Sequence, residues 1–172
     1  MSFDNDRIAH AIHLWRAQKP DLAVDEMLMI GRLINCSIQA FNHLDALYES
    51  YGINRGEFDV LATIRRNGAP YQLSPTQIFS SLMISSGTMT NRLQQLEKKG
   101  LINRCNHPED ARSSLVALSD DGLKLINQLI YDHVELEKQM NELISPEVRQ
   151  AITDGLGEWL EKLSTFSPKS SI

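Results

Sequence analysis

The residues whose chemistry is most legible in this sequence lie between Ser85 and Gly100. Ser85 or Ser86 can cap a helix in which Met89, Leu93 and Leu96 recur at helical spacing, and Gly100 stops it. At ~100° of rotation per residue, Leu93 and Leu96 fall beside Met89. Gly87, Asn91, Gln94 and Lys98 then lie opposite, flanked by Thr88, Thr90 and Gln95. An ordinary solvated helix face carries more Glu and Lys than this one does. Amides and hydroxyls instead match the donor and acceptor pattern of base edges in the major groove. Thr90, Asn91 and Gln94 are therefore candidates for base contacts, with Ser86, Thr88 and Gln95 beside them. Lys98 suits a phosphate.

Other chemistries find less support. There is no Gly-rich phosphate loop, nucleophile elbow or His–Glu metal motif, so an enzyme is not expected. His10 and His13 have helical spacing for a metal, but no cysteine or carboxylate cluster accompanies them, and neither a metal nor another cofactor is expected. Cys36 and Cys105 are too few for a disulfide framework. Cys105 follows Arg104, which leaves cysteine-based redox sensing as an alternative, although neither thiol has a resolving partner visible in sequence.

The chain has 172 residues, which fits one domain or one domain with an oligomerisation appendage, and its formal net charge of −5 does not suggest a general polyanion binder. Charge is unevenly placed. Residues 55–112 hold eight basic and five acidic side chains, a net +3, which leaves −8 for the two ends. The first residues are acidic and no apolar run approaches membrane length, so a cytoplasmic protein without membrane contact is expected.

The elements that must position the reading helix follow from periodicity. Ile8, Ala11, Ile12 and Trp15 predict a short helix over about 5–18, broken at Lys19-Pro20. A longer pattern from about Val24 to Tyr51 carries Met27, Ile30, Ile34, Ile38, Phe41 and Tyr48 on one stripe, with Met29, Leu33, Leu44 and Leu47 widening it. A helix that apolar on several sides needs cover from more than one direction, and a partner subunit is one source. Asn54 caps a helix over about 55–66, apolar around most of its circumference. Ser74, Pro75 and Gln77 then open a short helix with a capping box, and the reading helix follows.

After Gly100 the period changes. Residues 101–105 and 114–118 read as two short strands around a loop, which makes a wing carrying Arg112 towards the phosphate backbone or minor groove. Ser119-Asp120-Asp121-Gly122 opens a long helix, and Ser145-Pro146-Glu147 caps a last one. Residues 164–172 are expected to be a disordered tail. The fold class expected is mainly α with a small β-wing, a winged helix-turn-helix domain plus a helical region. A winged-helix protein-interaction adaptor is the alternative of a different class; it would tolerate a charged, non-reading face over 87–98.

This order of elements resembles the MarR family of bacterial transcriptional regulators across essentially the whole chain. The resemblance rests on Ile84 to Leu93, Leu96-Glu97-Lys98-Lys99-Gly100-Leu101-Ile102, Asp110-Ala111-Arg112 and Leu118-Ser119-Asp120-Asp121-Gly122. The last two look like the family's D-x-R wing tip and the L-[ST]-x-x-G start of its next helix. Ala111 departs from the second Arg of many members, which weakens the expected wing contact. The resemblance implies a single MarR-type unit over 1–172, with a winged DNA-binding region over 54–118 and a dimerisation region over 5–51 and 120–163. It also implies a homodimer on a pseudo-palindromic operator, acting as a ligand-responsive repressor.

Within the family, the urate-responsive, PecS-like regulators are similar in four further residues. These are Trp15 in an extra N-terminal helix, Asp59 after a Gly-Ile-Asn turn, Arg92 in Asn91-Arg92, and Arg104 just after the reading helix. The resemblance implies a site for a small aromatic anion, urate or another phenolic or purine compound. Trp15 would wall it, Arg92 and Arg104 would donate charge-assisted hydrogen bonds, and Asp59 would accept from ring N–H groups. Arg92 lies about 60° from Met89, nearer the core stripe than the DNA face. A structural reading of the same residues stays open: Trp15 pinning its helix, Arg92 and Asp59 as an ion pair, Arg104 on a phosphate.

Overall fold

A computed structural model of the chain describes residues 6–82, 89–106 and 114–168, Asn106 by its backbone alone. Its elements run α1 (Arg7–Gln18), a 3-10 turn (Val24–Glu26), α2 (Met27–Ser50), α3 (Arg55–Arg66), β1 (Gln72–Leu73), α4 (Pro75–Ser81), α5 (Met89–Lys98), β2 (Ile102–Asn106), β3 (Ser114–Leu118), α6 (Asp120–Asn141) and α7 (Pro146–Ser164). The mainly helical class with a small wing holds. Two compact units divide within α6, residues 1–129 and 130–172.

Local chemistry sets most of the boundaries. Asp6 caps α1 by accepting from the backbone N–H groups of Ile8 and Ala9 at 3.1 and 3.0 Å. Asn54 and Glu57 form a full capping box on α3, and Ser74 and Gln77 form one on α4, where Pro75 occupies the first turn. The expected cap of α5 at Ser85 or Ser86 lies outside the described residues.

The core of the first unit surrounds α3. Val60, Leu61 and Ile64 are sealed beneath Ile78 of α4, Leu93 and Leu96 of α5, Ile102 and Val116 of the sheet, and Ile126 and Leu129 of α6. Tyr48 of α2 stacks on Phe58 at 4.5 Å between ring centroids, which fixes the end of α2 against α3. α1 packs on the first half of α2. Ile8 approaches Gly31 so closely that an added Cβ would meet its Cγ2 at 2.7 Å, and Arg16 pairs with Asp25 at the other end of α1. Only Ile12 of the expected α1 stripe is buried.

The sheet has three strands where two are expected from sequence, in the order β1-β3-β2. Antiparallel pairing sets Ile102 against Leu118 and Cys105 against Leu115, and the added strand sets Gln72 against Ala117. A two-residue strand has no periodicity to read; it exists because β3 offers it an edge. The α6 start is seated on the turn after α5. Ser119 Oγ donates to the Gly100 carbonyl at 2.6 Å, and a Cβ on Gly122 would stand 1.9 Å from the Leu101 carbonyl oxygen.

Candidate DNA-reading helix and the cavity behind it

α5 is built as a two-sided helix. Leu93 and Leu96 turn inward to the core, whereas Thr90, Asn91, Gln94, Gln95 and Lys98 are all exposed. The outward row is free of acidic side chains, so it presents hydroxyls, amides and one ammonium to whatever docks there. Ser86, Thr88 and Arg112, expected to join that surface, lie outside the described residues.

The inward edge of α5 carries Arg92. Its guanidinium crosses the first turn of α3 directly over Gly56 and points to Asp59, with Nη1 3.9 Å from Oδ2. The two side chains are 20% and 24% exposed, which places them at the wall of a recess and not on open surface. That recess is a cavity of about 430 Å³ lined by Asp45, Glu49, Asn54, Arg55, Gly56, Asp59 and Arg92. It therefore lies between the last turns of α2, the N-terminus of α3 and the edge of α5. Its size is in the range of small-molecule sites.

Asp45, Glu49, Arg55 and Gly56 are not singled out from sequence, and Asn54 is expected there only as a helix cap. Arg55 grips Asp45 through Nε and Nη2 at 2.9 and 2.5 Å, and its guanidinium lies 3.8 Å from the Phe41 ring centroid. The hydrogen bonds from Arg55 hold the Asp45 carboxyl below its ordinary value of 3.8, against the opposing effect of desolvation. The same bonds raise Arg55. The available signal was the i, i+4 pair Asp45 and Glu49 at the end of α2, followed by Arg55 just past the Gly52 turn. Three carboxylates and two guanidiniums thus face one space. Such a wall accepts from N–H donors and donates to anionic oxygens.

The structure brings Asp59 and Arg92 together but not the other two residues of the implied ligand set. Arg104, at the wing base, donates from Nε to Glu97 Oε2 at 3.2 Å and does not line the cavity. Trp15 is 46% exposed and also does not line it. The reason is the packing of α1, whose end is held beside Asp25. From Met27 to Asp45 is about 27 Å along a helix at ~1.5 Å per residue. Within a single chain, then, the expected four-residue set is two residues at the cavity and two elsewhere.

Neither cysteine is in a disulfide. Cys36 is exposed on α2, and Cys105 Sγ lies 3.9 Å from Gln72 Oε1. Among the described residues no group of three or more His, Cys, Asp or Glu side chains could hold a metal ion, and no helix is long and apolar enough to cross a membrane.

Comparison with known proteins agrees with this geometry. The model of the MarR family matches residues 53–114, the span from α3 into the wing. The HTH-type transcriptional regulator PecS of Dickeya dadantii is 39% identical over 150 residues, covering 87% of this chain and 90% of the relative. The DNA-bound structure of Sco3205, a MarR family transcriptional regulator from Streptomyces coelicolor, superposes with a TM-score of 0.71 at 21% identity, covering 83% of this chain and 89% of that one. A mutant MarR of Escherichia coli in complex with operator DNA gives a TM-score of 0.66 at 22% identity, over 81% and 99% of the two chains. A helix with an amide-rich outer face free of acidic side chains, a wing after it, and this degree of identity along nearly the whole chain have one explanation: the chain belongs to the MarR family and is a winged-helix DNA-binding transcriptional regulator, not an enzyme.

Proposed function

We propose that this chain acts as a homodimeric repressor that binds a pseudo-palindromic operator and leaves it when a small aromatic anion, urate in the first instance, occupies the cavity behind α5. The observation that supports this reading is the placement of the two sides of one helix. α5 exposes Thr90, Asn91, Gln94, Gln95 and Lys98 outward, while its edge sends Arg92 into a 430 Å³ recess. A ligand that contacts Arg92 and Asp59 therefore acts on the reading helix itself, and it shifts the population towards states whose helix spacing fits DNA poorly.

The choice of ligand class follows from the wall. Urate offers ring N–H donors for Asp59 and its neighbours and anionic oxygen for Arg92. Salicylate is anionic but has no N–H donor. The dimer is supported by exposed apolar side chains at Met27, Ile30, Ile34, Ile38 and Phe41 along α2, and separately at Val148, Ile152, Leu156 and Leu160 along α7. Rows of this kind are covered in stable proteins, and a two-fold partner covers each with the same surface. In such a dimer two recognition helices reach successive major grooves. Division of labour follows the expected regions, with residues 54–118 on DNA and 5–51 with 120–163 at the interface; the wing tip adds Arg112 on the backbone.

Gel shifts on DNA upstream of the protein's own gene, with urate, xanthine and salicylate as additions, test both parts. A specific shift released by urate and xanthine but not by salicylate is the expected result. No sequence-specific shift would abandon repression in favour of an interaction adaptor. A response that survives Arg92→Ala unchanged would remove the cavity from the mechanism, leaving cysteine chemistry at Cys36 or Cys105 as the next reading to test.

A further inference from the structure

Glu57 is a carboxylate only 1% exposed, on the first turn of α3. One of its oxygens, Oε2, accepts from the Asn54 backbone N–H at 2.8 Å, which is the capping box, and from Lys99 Nζ at 2.7 Å. Lys99 is the residue just past α5, and its ammonium also donates to the Gly52 carbonyl at 2.9 Å. Gly52 closes α2, so a lysine there sits at the favourable end of that helix dipole. One ammonium thus ties the end of the reading helix to the end of α2 and the start of α3.

Lys99 and Arg92 are seven residues apart, two helical turns or about 10.5 Å, on nearly one face. Both reach α3, but they do so differently. Lys99 meets a buried carboxylate at 2.7 Å, whereas Arg92 meets Asp59 at 3.9 Å beside an open cavity. The first contact is short, desolvated on the acid side and doubled by a carbonyl; the second is long and can be reached by a ligand.

We propose that Lys99, through Glu57 and the Gly52 carbonyl, is a positioning residue for DNA recognition that holds the C-terminal end of the recognition helix against α2 and α3. This rests on the proposed reading of DNA by α5, and it assigns Lys99 a role other than contact with phosphate.

Two full-length variants test it. Lys99→Met keeps the apolar stem and removes the ammonium. Glu57→Gln keeps the cap, since Gln77 closes the equivalent box on α4, but removes the charge that Lys99 meets. Hydrogen–deuterium exchange, which needs no DNA, should show amides of 93–101 exchanging roughly tenfold faster in both, with amides of 123–129 unchanged. On a duplex enriched from a random-sequence pool by the wild-type chain, both variants should bind on the order of tenfold more weakly. Binding to a scrambled duplex should be unchanged. Two results overturn the proposal. One is unaltered exchange and operator affinity in both variants. The other is a loss confined to Lys99→Met, equal on both duplexes, with the salt slope reduced by about 0.9, which marks a phosphate contact. Failure of the wild-type chain to enrich any duplex would instead sink the DNA-reading function on which the proposal rests.

Discussion

A methyl group added at Gly56 would stand 2.3 Å from Arg92 Nε, 2.5 Å from Cζ and 2.9 Å from Nη2. To restore ordinary contact at 3.4 Å, Nε must retreat by about 1.1 Å from its 2.3 Å position. The obstacle is the far end of a flexible side chain, so Gly56→Ala moves the guanidinium and leaves the backbone in place. Stability should then hardly change. Alanine gains up to ~1 kcal/mol of helix propensity over glycine, less in a first turn. The partly exposed Arg92–Asp59 pair contributes no more than ~1 kcal/mol in return. Ligand affinity should respond strongly, because a displaced charge-assisted donor costs about 1.5–3 kcal/mol, roughly tenfold to a hundredfold in Kd. Urea unfolding followed by circular dichroism, beside titration calorimetry with urate, measures both. Wild-type urate affinity in the variant, or a stability loss above ~3 kcal/mol, would refute the placement of Arg92 over Gly56.

The same substitution at Gly122 should behave in the opposite way. There a Cβ would stand 1.9 Å from a backbone carbonyl oxygen, which cannot swing aside, so Gly122→Ala should destabilise by at least the ~1–3 kcal/mol typical of overpacking, read as a lowered urea midpoint. Asp45 titrates below its ordinary 3.8 because of Arg55, so its contribution is fully present above that pH and is lost as pH falls through the lower folded value. The stability gap between wild type and Asp45→Asn should be flat from about pH 7 to 5, close on further acidification, and shrink with added salt. On the outer face of α5, Gln94→Ala should cost about 1–3 kcal/mol on the operator and little on scrambled DNA. Lys98→Ala should weaken both and lower the salt slope by about 0.9.

The fold was largely legible because its signals are local. Asn54 before Arg55, Ser74 with Gln77, and Ser145 before Pro146 are caps written in neighbouring residues, and each is present. The phase of α5 was legible for the same reason: a helix places Leu93 and Leu96 on one side and Asn91 and Gln94 on the other wherever it sits. The cavity was only half legible. Phase alone turned Arg92 inward, but Asp45 and Arg55 belong to it through the turn at Gly52, which no periodicity describes.

By itself the sequence determined the α-helices, the two long strands, their order and the chemical character of each face, since these depend on contacts a few residues long. The tertiary structure decided which faces meet. It added β1 to the sheet through β3, kept Trp15 at the far end of α2 because α1 packs there, and paired Arg104 with Glu97. It also brought Lys99 to Glu57, 42 residues away in the chain. Pairings of that kind are set by the packing of α2, α3 and α5 together, which exists only once the core has closed.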